Sequence, residues 1–170
     1  SLNTARAITN ADGEYQLRLS EDHYDLLTDA PDRVCLALAA VSVTAGKSIR
    51  VPDLRLVRGA IVHGTVRDGL HEQPLATDGT HPLVIMNHGP AGPTTGGGTI
   101  AVNVAPDGTY RIRIAPGPNM LYIANNGLEG RVYFEVQDGE ERRVDLITGR
   151  TMGDVPAQFV EWSRRHRQIL

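Results

Sequence analysis

The stretch Val104–Ile114 reads VAPDGTYRIRI, and it decides the fold class of the chain. Its Asp107-Gly108 pair is a turn signal, because glycine tolerates the positive φ that many tight turns require. After the turn, Tyr110–Ile114 alternates apolar residues with arginines. This period of two predicts a strand with one buried face and a solvated arginine face. The turn also predicts that the strand is the second arm of a hairpin, with residues 99–104 as the first arm.

Nearly the same pattern occurs near the start of the chain, where Ile8–Leu19 reads ITNADGEYQLRL. The predicted strands that follow come in the same order in both copies, and the last ones are also alike, PDLRLVRG and RVDLITGR. We interpret the chain as two related modules in tandem, residues 1–58 and 59–150. Eighteen glycines and ten prolines separate the short alternating segments, which is typical of an all-β sandwich.

The two predicted modules differ in completeness. The second has a lead-in from Gly59 with two predicted strands, AIVHGTVRD and PLVIMNH, before its turn. The first has only residues 1–11 before its Asp-Gly pair, so it lacks the equivalent strands. Either the sequence starts within a module, or other chain segments fill the gap. A sheet that lacks strands exposes its edges unless something covers them. The tail is one candidate cover, and pairing with a second copy of the chain, which would make the protein self-associate, is the other.

The tail, residues 151–170, changes character and predicts a short C-terminal helix. Asp154 is a candidate N-cap and Pro156 suits the first turn, while basic residues gather where the helix dipole favours them. The predicted helix is amphipathic, since apolar side chains recur at spacings of three and four. The residues on that face are Phe159, Trp162, His166 and Ile169. A helix of this length is marginal alone, so we expect it to dock on another surface.

The basic run Arg164–Arg167 in this tail has two interpretations. It can be the solvated last turn of the helix, or it can contact an acidic partner or lipid headgroups beside an anchor. The two aromatic residues of the tail are interpreted first as packing residues and second as a contact surface for a ligand. The candidate contact residues of the tail are Phe159, Trp162, Arg164 and Arg165.

Composition excludes several classes of protein. The chain has 170 residues, with 41% hydrophobic and 22% charged residues, which is ordinary for one or two globular domains. A net charge of −3 gives no general attraction to nucleic acid or to an anionic membrane. No apolar run reaches the roughly 18 residues of a membrane-spanning helix, and the first residues lack the apolar core of a signal peptide. A signal could have been removed, or the sequence could be a piece of a longer protein.

Candidate chemistry is sparse. The single cysteine, Cys35, lies in an apolar run and has no cysteine partner, so we interpret it as a small buried hydrophobe. His71, His81 and His88 could converge on a metal with neighbouring acids, yet none has a metal-ligand spacing. The alternative is that they are surface histidines in loops. No combination of serine, histidine and acid emerges, so we predict no catalytic residue, no metal and no cofactor.

The glycine-rich segment 89–98 resembles a phosphate-binding loop only in composition. It lacks the lysine and the strand–loop–helix context of such a loop, and Lys47 is the only lysine in the chain. We interpret it as a long connection between strands. Because long loops often make contacts, its residues Thr94 and Thr95 and the preceding His88 are candidate contact residues.

Several of these motifs together resemble the carboxypeptidase regulatory-like module, a transthyretin-like or prealbumin-like β-sandwich. The matching elements are Gly64-Thr65-Val66 followed by Asp68, Pro74-Leu75, Asp107-Gly108-Thr109-Tyr110, and Ala115-Pro116-Gly117 before the strand that contains Tyr122. Residues 59–147 resemble the whole module, and residues 1–58 resemble only its second half. The loop between Arg67 and Pro74 and the glycine-rich insert depart from the family pattern.

The resemblance implies an all-β protein of tandem antiparallel sandwich modules, one complete and one partial, with a short C-terminal helix. It also implies a non-enzymatic accessory module, a spacer or protein-contact domain of a larger secreted or membrane-anchored bacterial protein. Such a module would be extracytoplasmic, with other domains of the parent as partners, no nucleic acid, and membrane contact only through the parent's anchor. The alternatives are a carbohydrate- or peptide-binding module that uses the end loops, and a metal hydrolase that uses the loop histidines.

Overall fold

The computed structural model describes residues 5–26, 28, 30–35, 40–75, 83–88, 99–124, 129–157 and 160. Within these ranges the chain is built from short strands, as its alternating segments predict. The strands are β1 Asp22–Asp25, β2 Val34–Cys35, β3 Ala40–Val43, β4 Leu56–Val57, β5 Ala60–Arg67, β6 Val84–His88, β7 Thr99–Asn103, β8 Thr109–Ile114, β9 Gly117–Ile123, β10 Arg131–Val136, β11 Glu141–Arg143, β12 Leu146–Ile147 and β13 Thr151–Met152.

One sheet, the small sheet, is organised around β5. β8 lies antiparallel to β5 on one side, with Ala60 opposite Ile114. On the other side β11 and β12 lie end to end, and both are parallel to β5. Buried and half-buried residues alternate along all eight positions of β5, because one face of the strand rests on the core and the other does not.

The second sheet, the large sheet, has five strands in the order β13-β10-β9-β6-β7. All of its pairs are antiparallel except that of β13 with β10, which is parallel. The inner faces of the two sheets enclose one apolar core, and burial of its side chains is the main force that holds the sheets together. The core residues are Ala60, Val62, Val66, Leu83, Ile85, Val104, Tyr110, Ile112, Ile114, Leu121, Ile123, Val132, Val136, Val144 and Leu146. The prediction of an all-β sandwich is confirmed.

The turn at Asp107-Gly108 connects the two sheets, so the prediction of a hairpin is wrong. β7 pairs with β6 in the large sheet, whereas β8 pairs with β5 in the small sheet. The turn itself is formed: Gly108 has a φ of 83°, and its N–H donates to the Ala105 carbonyl at 2.9 Å. A turn residue specifies local φ and ψ, but it does not specify which strand the outgoing chain will pair with.

Residues 5–57 form two separate pairs of strands. β1 pairs antiparallel with β3, and β2 pairs antiparallel with β4. The segment Tyr15–Leu19, predicted as a strand, belongs to none of the strands of the described residues, so that prediction is wrong. Its residues nevertheless alternate between half-buried and exposed, as a period of two requires. The Asp-Gly turn before it is formed, because Gly13 N–H donates to the Asn10 carbonyl at 3.0 Å.

Cys35 in β2 is half-buried, so the prediction of a buried cysteine is wrong. Its neighbour Val34 is buried instead, at 7% exposure. Successive residues of a strand point to opposite faces, and Val34 occupies the inward position.

The predicted C-terminal helix lies largely outside the described residues. Ala157 and Val160 have helical backbone, and Val160 N–H donates to the Pro156 carbonyl at 3.3 Å. The helix as a whole and the division of the chain at residues 58 and 150 therefore remain predictions.

Candidate functional site

The described part of the structure does not bring the predicted contact residues together. His88 ends β6, and its side chain lies outside the described residues. The other six predicted contacts lie wholly outside them. These are Thr94, Thr95, Phe159, Trp162, Arg164 and Arg165. Their assignment remains a prediction.

The outer face of the small sheet brings seven charged or titratable side chains together, and we call this set the arginine face. Its members are His63 and Arg67 of β5, Arg111 and Arg113 of β8, Glu141 and Arg143 of β11, and Asp145, which follows β11. Neighbouring positions on β5 and β8 point inward to the core, so this face is solvated, as the alternation predicts. Four arginines and two carboxylates leave a charge of +2 with the histidine neutral, on a chain whose net charge is −3.

One row of the arginine face crosses all three positions of the small sheet. His63 lies opposite Arg111 of β8 and opposite Arg143 of β11. Since neighbouring strands are about 4.8 Å apart, the two arginine backbones are roughly 10 Å apart, one on each side of the histidine. The side chains of Arg111 and Arg143 are 60% and 61% exposed, so a ligand can reach both guanidinium groups.

Two carboxylates orient these arginines. Arg111 Nη1 donates to Glu141 Oε1 at 2.8 Å, and this hydrogen bond lowers the pKa of Glu141 below its ordinary value. Arg143 Nη2 donates to Asp145 Oδ2 at 3.2 Å. Burial raises the pKa of Asp145, but hydrogen bonds from Arg143 and the Thr65 amide, together with nearby positive charge, lower it overall. Both carboxylates are therefore ionised at neutral pH.

Asp145 is positioned by an interruption between β11 and β12. There Thr65 N–H donates to Asp145 Oδ1 at 3.0 Å, so a side-chain oxygen replaces a carbonyl in the ladder. The interruption also brings the Val144 carbonyl against Gly64, where an added Cβ would overlap the carbonyl oxygen. Glycine at position 64 is thus explained by the close approach of another backbone. Interruptions of this kind re-aim a side chain, and this one directs Asp145 to the arginine face.

Tyr110 stabilises the backbone at the same interruption, from the core side of the sheet. Its hydroxyl donates to the Val144 carbonyl at 2.5 Å, and the side chain is buried. Burial, with the nearby charge of Asp145, raises the pKa of Tyr110 above its ordinary value, so the hydroxyl stays protonated and remains a donor. The tyrosine of the repeated sequence motif therefore has a structural role in this copy.

A buried pair of asparagines in the large sheet was missed by sequence reasoning. Asn87 of β6 and Asn119 of β9 are 1% and 0% exposed. Asn87 Nδ2 donates to Asn119 Oδ1 at 3.0 Å, and Asn119 Nδ2 donates to the carbonyls of Ala115 and Gly117 at 2.9 and 2.7 Å. Through these hydrogen bonds the pair links β6 to the segment that connects β8 with β9. The only signal in the sequence is a polar residue at an inward position of each strand.

The turn after β5 contains His71, one of the histidines considered as a metal ligand. Its Nδ1 lies 3.5 Å from Asp68 Oδ2. Asp68 also accepts from the Leu70 amide at 2.6 Å, and this hydrogen bond lowers the pKa of Asp68. Within the described ranges, no group of three or more histidine, cysteine, aspartate or glutamate side chains is arranged to hold a metal ion. His81 lies outside these ranges.

The chemistry that the arginine face supports is recognition of anions. Guanidinium groups bind carboxylates and phosphates through paired, charge-assisted hydrogen bonds. Arg111 and Arg143 present such donors on a sheet surface, one on each side of His63. The spacing of the row suits an extended ligand with several negative groups.

No protein-family model matches the chain, and no curated protein matches it in sequence. Among solved structures, the "putative carbohydrate binding protein" from Bacteroides uniformis ATCC 8492 is 16% identical with a TM-score of 0.42, over 52% of this chain and 40% of that one. The streptococcal ancillary pilin is 16% identical with a TM-score of 0.35, over 76% and 43%. The pilus 2b backbone protein of group B streptococcus is 13% identical with a TM-score of 0.36, over 77% and 53%. The chain spans 40–53% of the length of these proteins, and the likeness concerns the fold alone.

In the part of the chain that the structure describes, no helix is both long and apolar enough to cross a membrane.

Proposed function

We propose that residues 59–150 act as a rigid spacer, a non-enzymatic structural module of a larger protein. One observation carries the proposal: β5, where the chain enters the sandwich, is parallel to β11 and β12, where it leaves the small sheet. Parallel first and last strands of the small sheet place the points where the chain enters and leaves that sheet at opposite ends of the sandwich. A module of this kind separates the segments on its two sides by its own length.

The chain enters at what we call the leading end of the sandwich. Gly59 N–H donates to Asp138 Oδ1 at 2.7 Å, and the Gly59 carbonyl accepts from Gly139 N–H at 3.0 Å. The turn that contains Asp138 and Gly139 precedes β11, so β5 and β11 begin side by side.

The chain leaves the small sheet at the opposite end, the trailing end. Thr148 N–H donates to the Arg67 carbonyl at 3.0 Å, and the Thr148 hydroxyl accepts from Gly69 N–H at 2.9 Å. β5 contains eight residues between the two ends. At roughly 3.3 Å per residue, the sandwich separates the two ends by about 26 Å.

A distance measurement between spin labels at the two ends tests the spacer. Arg58→Cys and Thr151→Cys, both at exposed positions, would carry the labels in a chain with Cys35→Ser. Pulsed electron spin resonance is expected to give one narrow distance distribution, and the same-end control pair Arg58→Cys with Gln137→Cys a distinctly shorter one. A broad distribution for the first pair would show that the two ends are not rigidly separated, and the spacer would then be wrong.

The setting of the module belongs to the same proposal. We place it in a secreted or membrane-anchored bacterial protein, outside the cytoplasm, with other domains of that protein as its partners. The support is the resemblance of residues 59–147 to the carboxypeptidase regulatory-like module. Self-association through residues 1–58 also remains a prediction, and light scattering that shows a monomer at high concentration would contradict it.

A second function, binding of an acidic polysaccharide, is favoured by the arginine face. Its exposed guanidinium groups on Arg111 and Arg143 match the carboxylates of a sugar chain. No phenylalanine, tyrosine or tryptophan lies on this face within the described strands, so a neutral sugar would find no large stacking platform there. The surface therefore favours charged over neutral carbohydrate, and it lies on a sheet rather than on the end loops.

Calorimetric titration with polygalacturonate at low salt tests this second function. The double variant Arg111→Gln and Arg143→Gln is expected to lose binding, while the charge-matched control Arg50→Gln and Arg55→Gln keeps it. Binding is also expected to weaken as salt rises, because exposed charges are screened. Equal loss in both double variants would contradict the assignment to this face, and no binding by the unmodified chain would rule the function out.

A further inference from the structure

We infer that the contact between β5 and the end-to-end segments β11 and β12 is a mechanical clamp, which keeps the sandwich folded when tension acts along the chain. The inference rests on the proposed spacer function, since a spacer between anchored domains transmits the force that acts on them. A spacer need only keep its two ends apart. The clamp would in addition make the sandwich resist unfolding under force.

The direction of tension relative to the strands is what makes the contact a clamp. Tension enters the small sheet at Gly59 and leaves it at Thr148, at opposite ends of two adjacent, parallel segments. It therefore pulls β5 and β11–β12 in opposite directions along their common axis. Such shear stretches all the hydrogen bonds between them at once, whereas tension on a hairpin opens its bonds one after another. Forced unfolding is governed by the unfolding rate, so bonds that must break together raise the force required.

The hydrogen bonds that resist this shear follow β5 along its full length. The ladder pairs Ile61–His63 with Glu141–Arg143 and Val66–Arg67 with Leu146–Ile147. Bonds outside the regular ladder extend it: Ile61 N–H donates to the Glu140 carbonyl at 2.8 Å, Val144 N–H to the His63 carbonyl at 2.9 Å, and Thr148 N–H to the Arg67 carbonyl at 3.0 Å. The contact thus runs from the leading end to the trailing end.

Two side chains strengthen the weak point of the clamp, the interruption between β11 and β12. A ladder loses a backbone bond at such a point, but here Asp145 Oδ1 accepts the Thr65 amide at 3.0 Å. Tyr110 of β8 adds a bond to the Val144 carbonyl from the other side of β5. The interruption therefore still resists shear, and β8 is joined to the clamp.

The strand that follows the clamp is too short to take part in it. β13 pairs with β10 over only Thr151 and Met152. Tension from the C-terminal side is expected to detach β13 first and then to act at Thr148, at the end of the clamp.

Single-molecule force spectroscopy on the full chain tests the clamp in two pulling geometries. Both use Cys35→Ser and an attachment point at Arg58→Cys. The second attachment point is Thr151→Cys for shear, or Gln137→Cys at the leading end, where pulling unzips β5 from β11. At the same pulling speed, the shear geometry is expected to need a several-fold higher mean unfolding force. Equal forces in the two geometries, or a lower force in shear, would overturn the inference.

A matched pair of variants tests the part played by Asp145. Asp145→Ala removes the acceptor of the Thr65 amide, whereas Asp145→Asn keeps an oxygen at that position. The shear force is expected to fall in the alanine variant and to be largely retained in the asparagine variant, with little change in the unzipping force. Circular dichroism first shows that each variant is folded. A shear force unchanged by Asp145→Ala would contradict this side chain's place in the clamp.

The clamp and the spacer can fail separately. A narrow distribution of label distances together with equal unfolding forces in both geometries would support the spacer function and contradict the clamp. A broad distribution of label distances would contradict the spacer function, on which the clamp rests.

Discussion

Residues 60–152 and residues 5–57 have similar alternating sequences, yet they bury very different numbers of apolar side chains. Of the sixteen buried hydrophobic residues in the described structure, only Val34 belongs to the N-terminal region. In residues 60–152 two sheets face each other, whereas the described strands of the N-terminal region form two-stranded pairs. Such pairs are marginal in water. Alternation therefore specifies a face, but burial of that face requires a second sheet to cover it.

The repeated tyrosine shows the same difference at a single position. The hydroxyl of Tyr110 donates to the Val144 carbonyl and completes the small sheet. The hydroxyl of Tyr15 is buried but has no hydrogen-bond partner among the described residues. An unsatisfied buried hydroxyl reduces stability, so the hydroxyl group of this tyrosine is unfavourable in the first region and favourable in the second.

Hydrogen exchange should show the largest contrast between the regions. We expect amides of β5 and β9 to exchange only on global unfolding, which costs about 5–15 kcal/mol in ordinary domains. Amides of Tyr15–Leu19, which belong to no described strand, should open at close to zero cost. Mass spectrometry of peptides after timed exchange measures the protection of both sets of amides. Equal protection of the β-strand amides and of Tyr15–Leu19 would contradict the proposed difference in stability.

Two glycine substitutions sharpen the comparison. Gly64→Ala forces a Cβ onto the Val144 carbonyl, so we expect a loss of about 3 kcal/mol in the unfolding free energy of the sandwich. Gly13→Ala has open space around it but a φ of 81°, and this local strain costs about 1 kcal/mol. Urea unfolding followed by circular dichroism gives both values. A larger effect at position 13 than at position 64 would be inconsistent with a core confined to residues 60–152.

The two tyrosines provide a matched pair of smaller effects. Tyr110→Phe leaves the Val144 carbonyl without its donor, and we expect destabilisation by about 1–3 kcal/mol. Tyr15→Phe removes a hydroxyl that has no partner in the described structure, so the change should be stabilising or within about 0.5 kcal/mol of zero. Thermal unfolding of both variants measures the two changes in stability. A loss of similar size in each would show that the two hydroxyl groups contribute equally to stability.

The pH dependence of stability should show the smallest effect of the four. Because the folded-state pKa of Asp145 is lowered, ionised Asp145 stabilises the fold above its unfolded pKa, near 3.9. This contribution is lost as pH falls through the lower, folded pKa. Asp145→Asn should therefore show a shallower loss of stability on acidification below about pH 4. Urea midpoints measured across that range test this, and profiles of identical shape would refute it.

Much of the fold of residues 60–152 could be predicted from the sequence, and the candidate site only in part. Arg111 and Arg113 alternate with apolar residues along β8, so a solvated arginine face was predictable from one strand. His63, Arg143 and Asp145 come from other segments, and they reach that face only through the register of β5 with its neighbours. Register between distant strands leaves no local signal, because it depends on packing across the sheet.

For residues 60–152 the sequence by itself determined that the elements are strands, and in both regions it determined the place of the repeated Asp-Gly turn. Alternation and Asp-Gly pairs act over a few residues, through side-chain direction and through the φ that glycine allows. Only the tertiary structure decided that β7 and β8 belong to different sheets, that β5 runs parallel to β11 and β12, and that Asp145 replaces a carbonyl in the ladder. These features depend on which faces can be covered together, so they arise from contacts between residues about 80 positions apart, such as Thr65 and Asp145.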